Sequence, residues 1–589
     1  MIYWFGSHIS HFRTINGETF DRETSGTRVP NGPVVHRHPV TSRLLHVMDH
    51  HRRCFSVHVP PWLQIVAFVL VLVEGAEWSS FPPPATVLKD GTPVLGINGI
   101  GNIDTFLGIR YGVIPKRFAI AQPAWGDPAY GDHIDANKPG ASCWQDDRLS
   151  FHNQTMNEDC LFINVWGDVH TATKKPVMVW IHGGGYTTGS GTPVGADGVG
   201  IFNGASLALS QDIVVVTLNY RLGSFGFLVV DDTDNTGGMN GIRDQILALR
   251  WVQDNIASFG GDKNEVTLFG ESAGGTSVCI LSIVPDAAML FKRAIIQSGP
   301  CVGPWGPHST AFGVKQRSLI FNALKVNSTD ELRLVDPRAL MQVGWPLPSN
   351  GWYNDRIFLP HNTSWYFSSG KVHVEDLVIG GNSYDGVSEF YPLIPNTTTQ
   401  FKLYLDLTYG AANATDIYRV YNPLASFNGS VVAAFVQQNG DNAVVCPSLS
   451  IARMTAKTAL KTRVWSYYYA HRFDCVDVAG VLGLIPSDGF PEWSSHASEL
   501  PLLFGNLQFK DPLKKAWKQC EPQLTSAHTA VSRLLQQMWG HVAHGRASSS
   551  SLWRPFRNGT VAVIAVDSRH VDADFKKHQC GVLPSRDPS

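Results

Sequence analysis

Four stretches of the chain hold residue types and spacings suited to one chemistry, attack of a serine hydroxyl on a carbonyl carbon. The first is Val266-Thr267-Leu268-Phe269-Gly270-Glu271-Ser272-Ala273-Gly274-Gly275, where a short β-type apolar run meets G-x-S-x-G and then small residues able to open a helix. It reads as a nucleophile elbow. A sharp strand-to-helix turn strains the backbone of its central residue and admits only small flanking side chains, a need met by Gly270 and Gly274. Ser272 would then stand above the sheet edge. The Ala273 amide and the positive end of the following helix would face a developing oxyanion. A lone G-x-S-x-G is weak evidence, because Gly and Ser are common.

Its context strengthens it. Val177-Met178-Val179-Trp180-Ile181-His182 is a buried-strand candidate that runs into Gly183-Gly184-Gly185-Tyr186, and glycines present backbone N–H groups unobstructed, as a preformed oxyanion hole requires. Asp376-Leu377-Val378-Ile379-Gly380-Gly381 is a further strand that ends at Asn382-Ser383-Tyr384-Asp385-Gly386. That places a carboxylate just beyond a strand's carboxyl end. His496 lies in the polar loop Ser494-Ser495-His496-Ala497-Ser498-Glu499. Ser272, Asp385 and His496 thus follow the order Ser, acid, His at intervals of about 110 residues.

The surrounding elements supply the scaffold such residues need. Phe106 to Tyr111, Leu161 to Trp166, Ile213 to Tyr220, Arg293 to Gln297 and Val464 to Tyr469 read as strands. Gln245 to Phe259 carries Ile246, Leu249, Trp251, Val252 and Ile256 at helical spacing and ends at Gly260-Gly261. Strand and helix alternate, which predicts an α/β fold with a large, mostly parallel central sheet covered by helices on both faces. The long irregular region after Gln297 predicts insertions over the active site.

Composition narrows the class. Hydrophobic residues make up 43% and charged residues 16%, enough for a large core. The net charge is -2 with no basic stripe, which argues against nucleic acid as a partner. Residues 1–47 are polar and without period, and predict a disordered extension. Their histidines lack the spacing of a metal site, no C-x-x-C occurs, and neither metal nor organic cofactor is expected. The apolar run Leu63 to Val73 is too short for a span of about 20 residues, but has the length of a signal-peptide core. Counted from Met48, Arg52-Arg53 forms its basic flank and Val73-Glu74-Gly75 its cleavage region, so residues 48–75 read as a signal peptide. Translation is then expected to start at Met48, leaving residues 1–47 untranslated. The alternative is a short membrane anchor through residues 62–73. Sequons at Asn153, Asn327, Asn362, Asn396, Asn413, Asn428 and Asn558 are glycosylation candidates and support secretion.

Taken together, Glu158-Asp159-Cys160-Leu161, His182 to Tyr186, Asn219-Tyr220-Arg221-Leu222-Gly223, Asp244-Gln245 with its helix, Phe269 to Gly275 and His496 to Gly505 resemble the type-B carboxylesterase and cholinesterase family of α/β-hydrolases. The resemblance runs from about Phe106 to Cys580, and residues 76–589 are expected to form one such domain. It implies Ser272 as nucleophile, His496 as proton shuttle, Asp385 as orienting acid, and the amides of Gly184, Gly185 and Ala273 as oxyanion donors. The family's usual acid is Glu, one methylene longer; Glu389 is the rival to Asp385. The resemblance further implies a buried Arg117–Glu158 ion pair and disulfides Cys143–Cys160 and Cys446–Cys580. Cys301 matches a family cysteine whose usual partner is missing, which leaves Cys301, Cys475 and Cys520 open, and Cys279 is expected to be a buried free thiol. The loop between Cys143 and Cys160 is shorter than in cholinesterases and lacks their Trp-containing segment, which argues against a choline ester specialist. Trp144 and Trp305 are candidates for the pocket wall.

These readings predict a secreted serine carboxylic ester hydrolase, a general carboxylesterase acting on small-molecule esters through an acyl-enzyme, with no stable membrane span. A lipase of the same family is the near alternative. A non-catalytic cholinesterase-like adhesion or interaction module is the alternative from another class. No oligomeric state follows from the sequence.

Overall fold

Continuous runs of β-branched and aromatic residues form the strands of one ten-stranded sheet in the computed structural model of the chain. The structure describes residues 82–124, 126, 132–145, 155–191, 202–230, 238–344, 352–354, 358–386, 394–471, 494–506, 525–556, 559–565, 569–571 and 575–583. The expected extension at 1–47, the signal segment at 48–75, Asn153, Asn558, Glu389, Cys475 and Cys520 lie outside these residues.

Numbered within this sheet, the strands are β1 (Asp104–Arg110), β2 (Phe162–Gly167), β3 (Lys175–Ile181), β4 (Val214–Leu218), β5 (Gly261–Glu271), β6 (Arg293–Gln297), β7 (Asp376–Asn382), β8 (Arg463–Tyr469), β9 (Val561–Ile564) and β10 (Arg569–Val571). Their spatial order is β10-β9-β8-β7-β6-β5-β3-β4-β2-β1. From β4 across to β9 every neighbouring pair is parallel. The pairs β1/β2, β2/β4 and β9/β10 are antiparallel. The mostly parallel sheet is therefore mixed only at its margins.

Helices cover both faces, because alternate residues of each strand point opposite ways. On β3, Val177, Val179 and Ile181 pack with Ile246, Leu249 and Val252 of α2 (Asn240–Asn255) and Val278 of α3 (Ala273–Leu281). Leu449 of α4 (Cys446–Thr458) joins the same core. Met178 and Trp180 face the other way, toward Leu207 of α1 (Ala205–Gln211), Phe504 of α5 (Leu500–Phe504) and Trp539 of α6 (Ser526–Ala543). The Trp180 ring lies 4.9 Å from Phe269 and 5.2 Å from Phe504, measured between centroids. Between β7 and β8, helices Thr398–Tyr409, Ala411–Val420 and Val431–Gly440 build a separate core around Phe401, Leu405, Ile417 and Phe435. Among the described residues no helix is long and apolar enough to cross a membrane.

Three disulfides join described cysteines: Cys143–Cys160, Cys279–Cys301 and Cys446–Cys580. The second corrects the expectation that Cys279 is a free thiol and supplies the partner of Cys301. Helix α3 and the segment after β6 pack so closely that the two Cα atoms are 5.7 Å apart, within disulfide reach. No local pattern announces a pair that lies on two different elements.

Two ion pairs tie connecting segments to the sheet. Arg117 donates to both Glu158 oxygens, from Nε to Oε2 at 2.9 Å and from Nη2 to Oε1 at 2.5 Å, while Nη1 donates to Leu332 O and Val335 O. The arginine side chain is mostly covered, at 9% exposed, while that of Glu158 is about one-third exposed, at 32%, so the expected buried pair is only partly buried. Arg221, just after β4, is fully buried with Asp244 of α2: Nε donates at 2.8 Å, a terminal nitrogen at 2.7 Å and the Arg221 backbone N–H at 3.1 Å. Removing one member leaves the other charge buried and unpaired. Asp244→Ala is therefore expected to cost about 3–5 kcal/mol of stability, read as a lowered urea midpoint with an unchanged denaturant slope. Replacing both partners with apolar residues should recover part of the loss.

Candidate active site

The site begins where β5 turns into α3. Ser272 occupies the turn with φ 59° and ψ -126°, a conformation closed to most L-residues and costing on the order of 1–3 kcal/mol. Its neighbours enforce it. The Ser272 N–H donates to Gln297 O of β6 at 2.9 Å, and Ser272 O accepts from Thr276 N at 2.8 Å in the first turn of α3. Gly274 must lack a side chain, since a Cβ there would lie 2.0 Å from Ile181 O at the end of β3. Ala273 is the first residue of α3, so its N–H has no acceptor within the helix.

The His182-Gly183-Gly184-Gly185-Tyr186 turn leaves the same end of β3 and comes against the elbow. A Cβ on Gly183 would sit 2.9 Å from Ser272 Cβ, so only glycine allows this approach. The carbonyl of Gly184 is occupied, accepting from Thr187 N and Thr188 N at 3.0 Å each. Gly184 and Gly185 both have positive φ, which orients this turn. Behind it, the Tyr186 hydroxyl lies 3.3 Å from Ser277 Oγ of α3, and Ser277 Oγ accepts from Gln245 Nε2 of α2 at 3.0 Å. Sequence reasoning assigned Tyr186, Ser277 and Gln245 no part in this support.

Two loops deliver the remaining groups. Asp385 lies three residues beyond the end of β7, and His496 follows Ser495, which forms an isolated parallel bridge with Tyr384. The loops are further joined by Tyr384 N donating to Ser494 O at 3.0 Å and Asn382 Nδ2 donating to Ser495 O at 2.7 Å. Asp385 Oδ1 is 2.6 Å from His496 Nδ1. Its other oxygen, Oδ2, accepts from the Ser298 hydroxyl and from Asn382 N, each at 2.7 Å. The carboxylate is fully buried and the imidazole is 19% exposed.

With Nδ1 of His496 on Asp385, the ring's other nitrogen is Nε2. It faces the elbow, 3.1 Å from Glu271 Oε1, in the residue next to Ser272. No hydrogen bond between Ser272 Oγ and Nε2 is made among the described contacts. Glu499 is buried three residues after His496 and accepts from Gln297 Nε2 and Asn382 Nδ2. Burial works against a charged imidazole, but the Glu271 carboxylate, the bond to Asp385 and the nearby Glu499 outweigh it and push the His496 pKa up to about 10. Burial likewise raises Glu271, to about 8, against the pull of the His496 charge. The two groups titrate together, each holding the other's charge. Sequence reading missed Glu271, Ser298 and Glu499 as members of this cluster.

The tryptophans named from sequence separate. Trp305 stands edge-on to His496, with centroids 5.7 Å apart. Trp144 lines a hollow with Arg117, Glu158, Arg221 and Phe225, and none of Ser272, Asp385 or His496 borders that hollow.

A serine on a strained turn, a carboxylate-bound imidazole and glycine amides beside them suit acyl transfer. Comparison with known proteins agrees, since the sequence model of the carboxylesterase family matches residues 91–583. The chain belongs to the carboxylesterase family. It is 27% identical over 525 residues to a cholinesterase of Mus musculus, covering 79% of each chain, and 28% identical over 535 residues to an acetylcholinesterase of Bungarus fasciatus, covering 82% of each. A solved PNB esterase structure superposes with a TM-score of 0.70 at 25% identity, over 85% of this chain and 99% of the other. A thermophilic PNB esterase gives the same TM-score at 24% identity. This member of the carboxylesterase family has the α/β-hydrolase fold and is a serine carboxylic ester hydrolase.

A general base must be neutral, so activity rises as pH passes upward through the imidazole pKa. Glu271 raises that pKa. Glu271→Gln is therefore expected to move the acid limb of the kcat/KM profile toward lower pH, measured on one activated ester from acid to alkaline buffer. An acid limb left in place would show that Glu271 does not act on a His496 imidazole that serves as the base.

Proposed function

We propose that this esterase cleaves small carboxylic esters through an acyl-enzyme on Ser272, with His496 as proton shuttle and Asp385 as the acid that orients it. The observation that carries the reading is the 2.6 Å contact between Asp385 Oδ1 and His496 Nδ1, made beside the strained Ser272 turn. In acylation, Nε2 takes the Ser272 proton as Oγ bonds to the carbonyl carbon, then gives it to the departing alcohol. In deacylation the same nitrogen takes a proton from water and returns it to Oγ. Asp385 holds the tautomer and stabilises the imidazolium between these transfers. In this reading Nε2 turns from Glu271 toward Oγ, and the two residues are close in space: Ser272 Cβ and Glu271 Oε2 lie 2.9 and 3.0 Å from one point, the place a Cβ on Gly183 would take.

The amides of Gly184, Gly185 and Ala273 supply the oxyanion donors in this reading. The closeness of Gly183 to Ser272 supports it, because the glycine turn and the head of α3 then border one space. Each donor would contribute on the order of 3 kcal/mol in the transition state. Side chains and amides complete this chemistry without a metal or an organic cofactor.

An extracellular location is part of the proposal. Three disulfides suit an oxidising compartment. The sequons at Asn327, Asn362, Asn396, Asn413 and Asn428 are all exposed, which supports them as glycosylation sites. Residues 48–75 would be the signal peptide that directs export.

Hydrolysis of p-nitrophenyl esters from acetate to palmitate, with Ser272→Ala as the blank, tests the reading. Serine-dependent turnover greatest on short acyl chains is expected, and a maximum at the long chains would make the enzyme a lipase. A folded protein no more active than the Ser272→Ala blank on every ester would leave the interaction-module alternative.

A further inference from the structure

The Cys279–Cys301 disulfide joins two elements that both serve the proposed triad. Cys279 lies in α3, the helix that Ser272 opens. Cys301 lies in the segment leaving β6, whose first residue, Ser298, donates its hydroxyl to Asp385 Oδ2. Four residues beyond Cys301, Trp305 meets the His496 ring. One covalent bond therefore fixes the nucleophile's helix to the segment that touches both the acid and the histidine.

The segment needs holding. Ser298 has φ 49°, the left-handed region, which a serine keeps only where its surroundings impose it. Gly299 lies so close to the elbow that a Cβ there would be 2.4 Å from Ser272 O and from Thr276 N. Cys279 and Cys301 close this same contact further along. At the bridge itself Cys301 N also donates to Cys279 Sγ at 3.2 Å; away from it, the bonds holding the segment are Ser298 N to Gly380 O at 2.9 Å, Thr363 Oγ1 to Cys301 O at 2.7 Å and Trp352 Nε1 to Trp305 O at 3.1 Å, and these three lead to elements other than α3. Both cysteines are fully buried, so the bridge sits in a packed interior where a displacement of one element is passed to its neighbour.

We propose that the Cys279–Cys301 bridge is a positioning element of the active site, holding the Ser298–Trp305 segment so that the Ser298 hydroxyl stays on Asp385 and the Trp305 ring stays against His496. The inference rests on the assignment of Ser272, Asp385 and His496 as the triad. Its effect goes beyond the chain-entropy stabilisation any disulfide supplies. Without the bridge, Asp385 loses its fixed hydroxyl donor and His496 its ring neighbour. The carboxylate–imidazole pair then wanders relative to Ser272. Misplacement by about 1 Å reduces turnover on the order of a hundredfold.

The test uses the full chain carrying Cys279→Ala and Cys301→Ala, with Cys143→Ala and Cys160→Ala as the comparison. The two bridges close loops of similar length, with sequence separations of 22 and 17, so both double variants should lose thermal stability to a similar degree. Assayed well below its melting temperature and shown to be folded by circular dichroism, the Cys279/Cys301 variant is expected to lose roughly ten- to a hundredfold in kcat, with KM changed much less. Its acid limb should move to lower pH, because an imidazole that has lost its steady carboxylate partner holds its proton less tightly. The Cys143/Cys160 variant should keep the wild-type acid limb. A folded Cys279/Cys301 variant with wild-type kcat and acid limb overturns the proposal and leaves the bridge a structural staple. Should that variant fail to fold, Ser298→Ala reads the far end of the same connection: a fall in kcat with the acid limb moved to lower pH supports the proposal, and unchanged kinetics overturn it. Activity surviving in Ser272→Ala would overturn the triad assignment and this inference with it, whereas an inactive Ser272→Ala beside unaltered bridge-variant kinetics overturns the inference alone.

Discussion

The site depends on one unfavourable backbone conformation, that of Ser272. A non-glycine residue at φ 59°, ψ -126° persists only if its surroundings determine it from several directions. The strand order supplies them. Because β5 lies between β3 and β6, Ser272 N can reach Gln297 O on one side while Gly274 abuts Ile181 O on the other. The parallel register, which sets Gly270 opposite Ile181 and Glu271 opposite Gln297, brings all three strand ends level. That alignment places the glycine turn after β3, the serine after β5 and Ser298 after β6 at one edge of the sheet. The order places β7 beside β6, so its acidic loop reaches the same edge.

Much of this scaffold was legible in the sequence because its strands are buried on both faces. Val214–Leu218 and Arg293–Gln297 have no exposed residue, and such strands appear as unbroken apolar or β-branched runs between glycine and polar punctuation. The same logic failed at β9 and β10. Val561–Ile564 is only four residues long, too short for periodicity to distinguish it from a fragment of helix. Helix α6 was also missed, although Leu535, Met538, Trp539 and Val542 lie at helical spacing along its buried face.

Within the site, residues that announce themselves by local motif were readable: Ser272 in its elbow, the glycine turn, and a carboxylate after a strand. Contacts between distant segments were not. Ser298 and Asp385 are 87 positions apart, Gln297 and Glu499 are 202 apart, and each pairing exists only because the sheet order juxtaposes their strands or loops. Cys279 and Cys301 fall in the same class, since a cysteine buried in a helix looks like a small apolar residue until its neighbour is known. His496 gained its place in the sequence reading from chain order and family resemblance, not from its polar loop.

The geometry around Asp385 gives a physical account of how the proposed triad would use the shorter acid. An aspartate reaches one methylene less than a glutamate, so its backbone must come nearer the imidazole. The bridge between Tyr384 and Ser495 and the Asn382 amide bonded to Ser495 O draw the two loops together by that means. With the loops fixed, Oδ2 is occupied by two donors, Ser298 Oγ and Asn382 N, on different strand ends. Only Oδ1 remains for His496 Nδ1, and the plane of the carboxylate is set before the histidine is considered. A flexible acid would lose orientation whenever the imidazolium forms; here two 2.7 Å bonds from other groups keep the carboxylate still while the charge on the ring comes and goes. The shorter side chain, with fewer rotatable bonds, is suited to that role because the protein has moved the loop instead of the side chain.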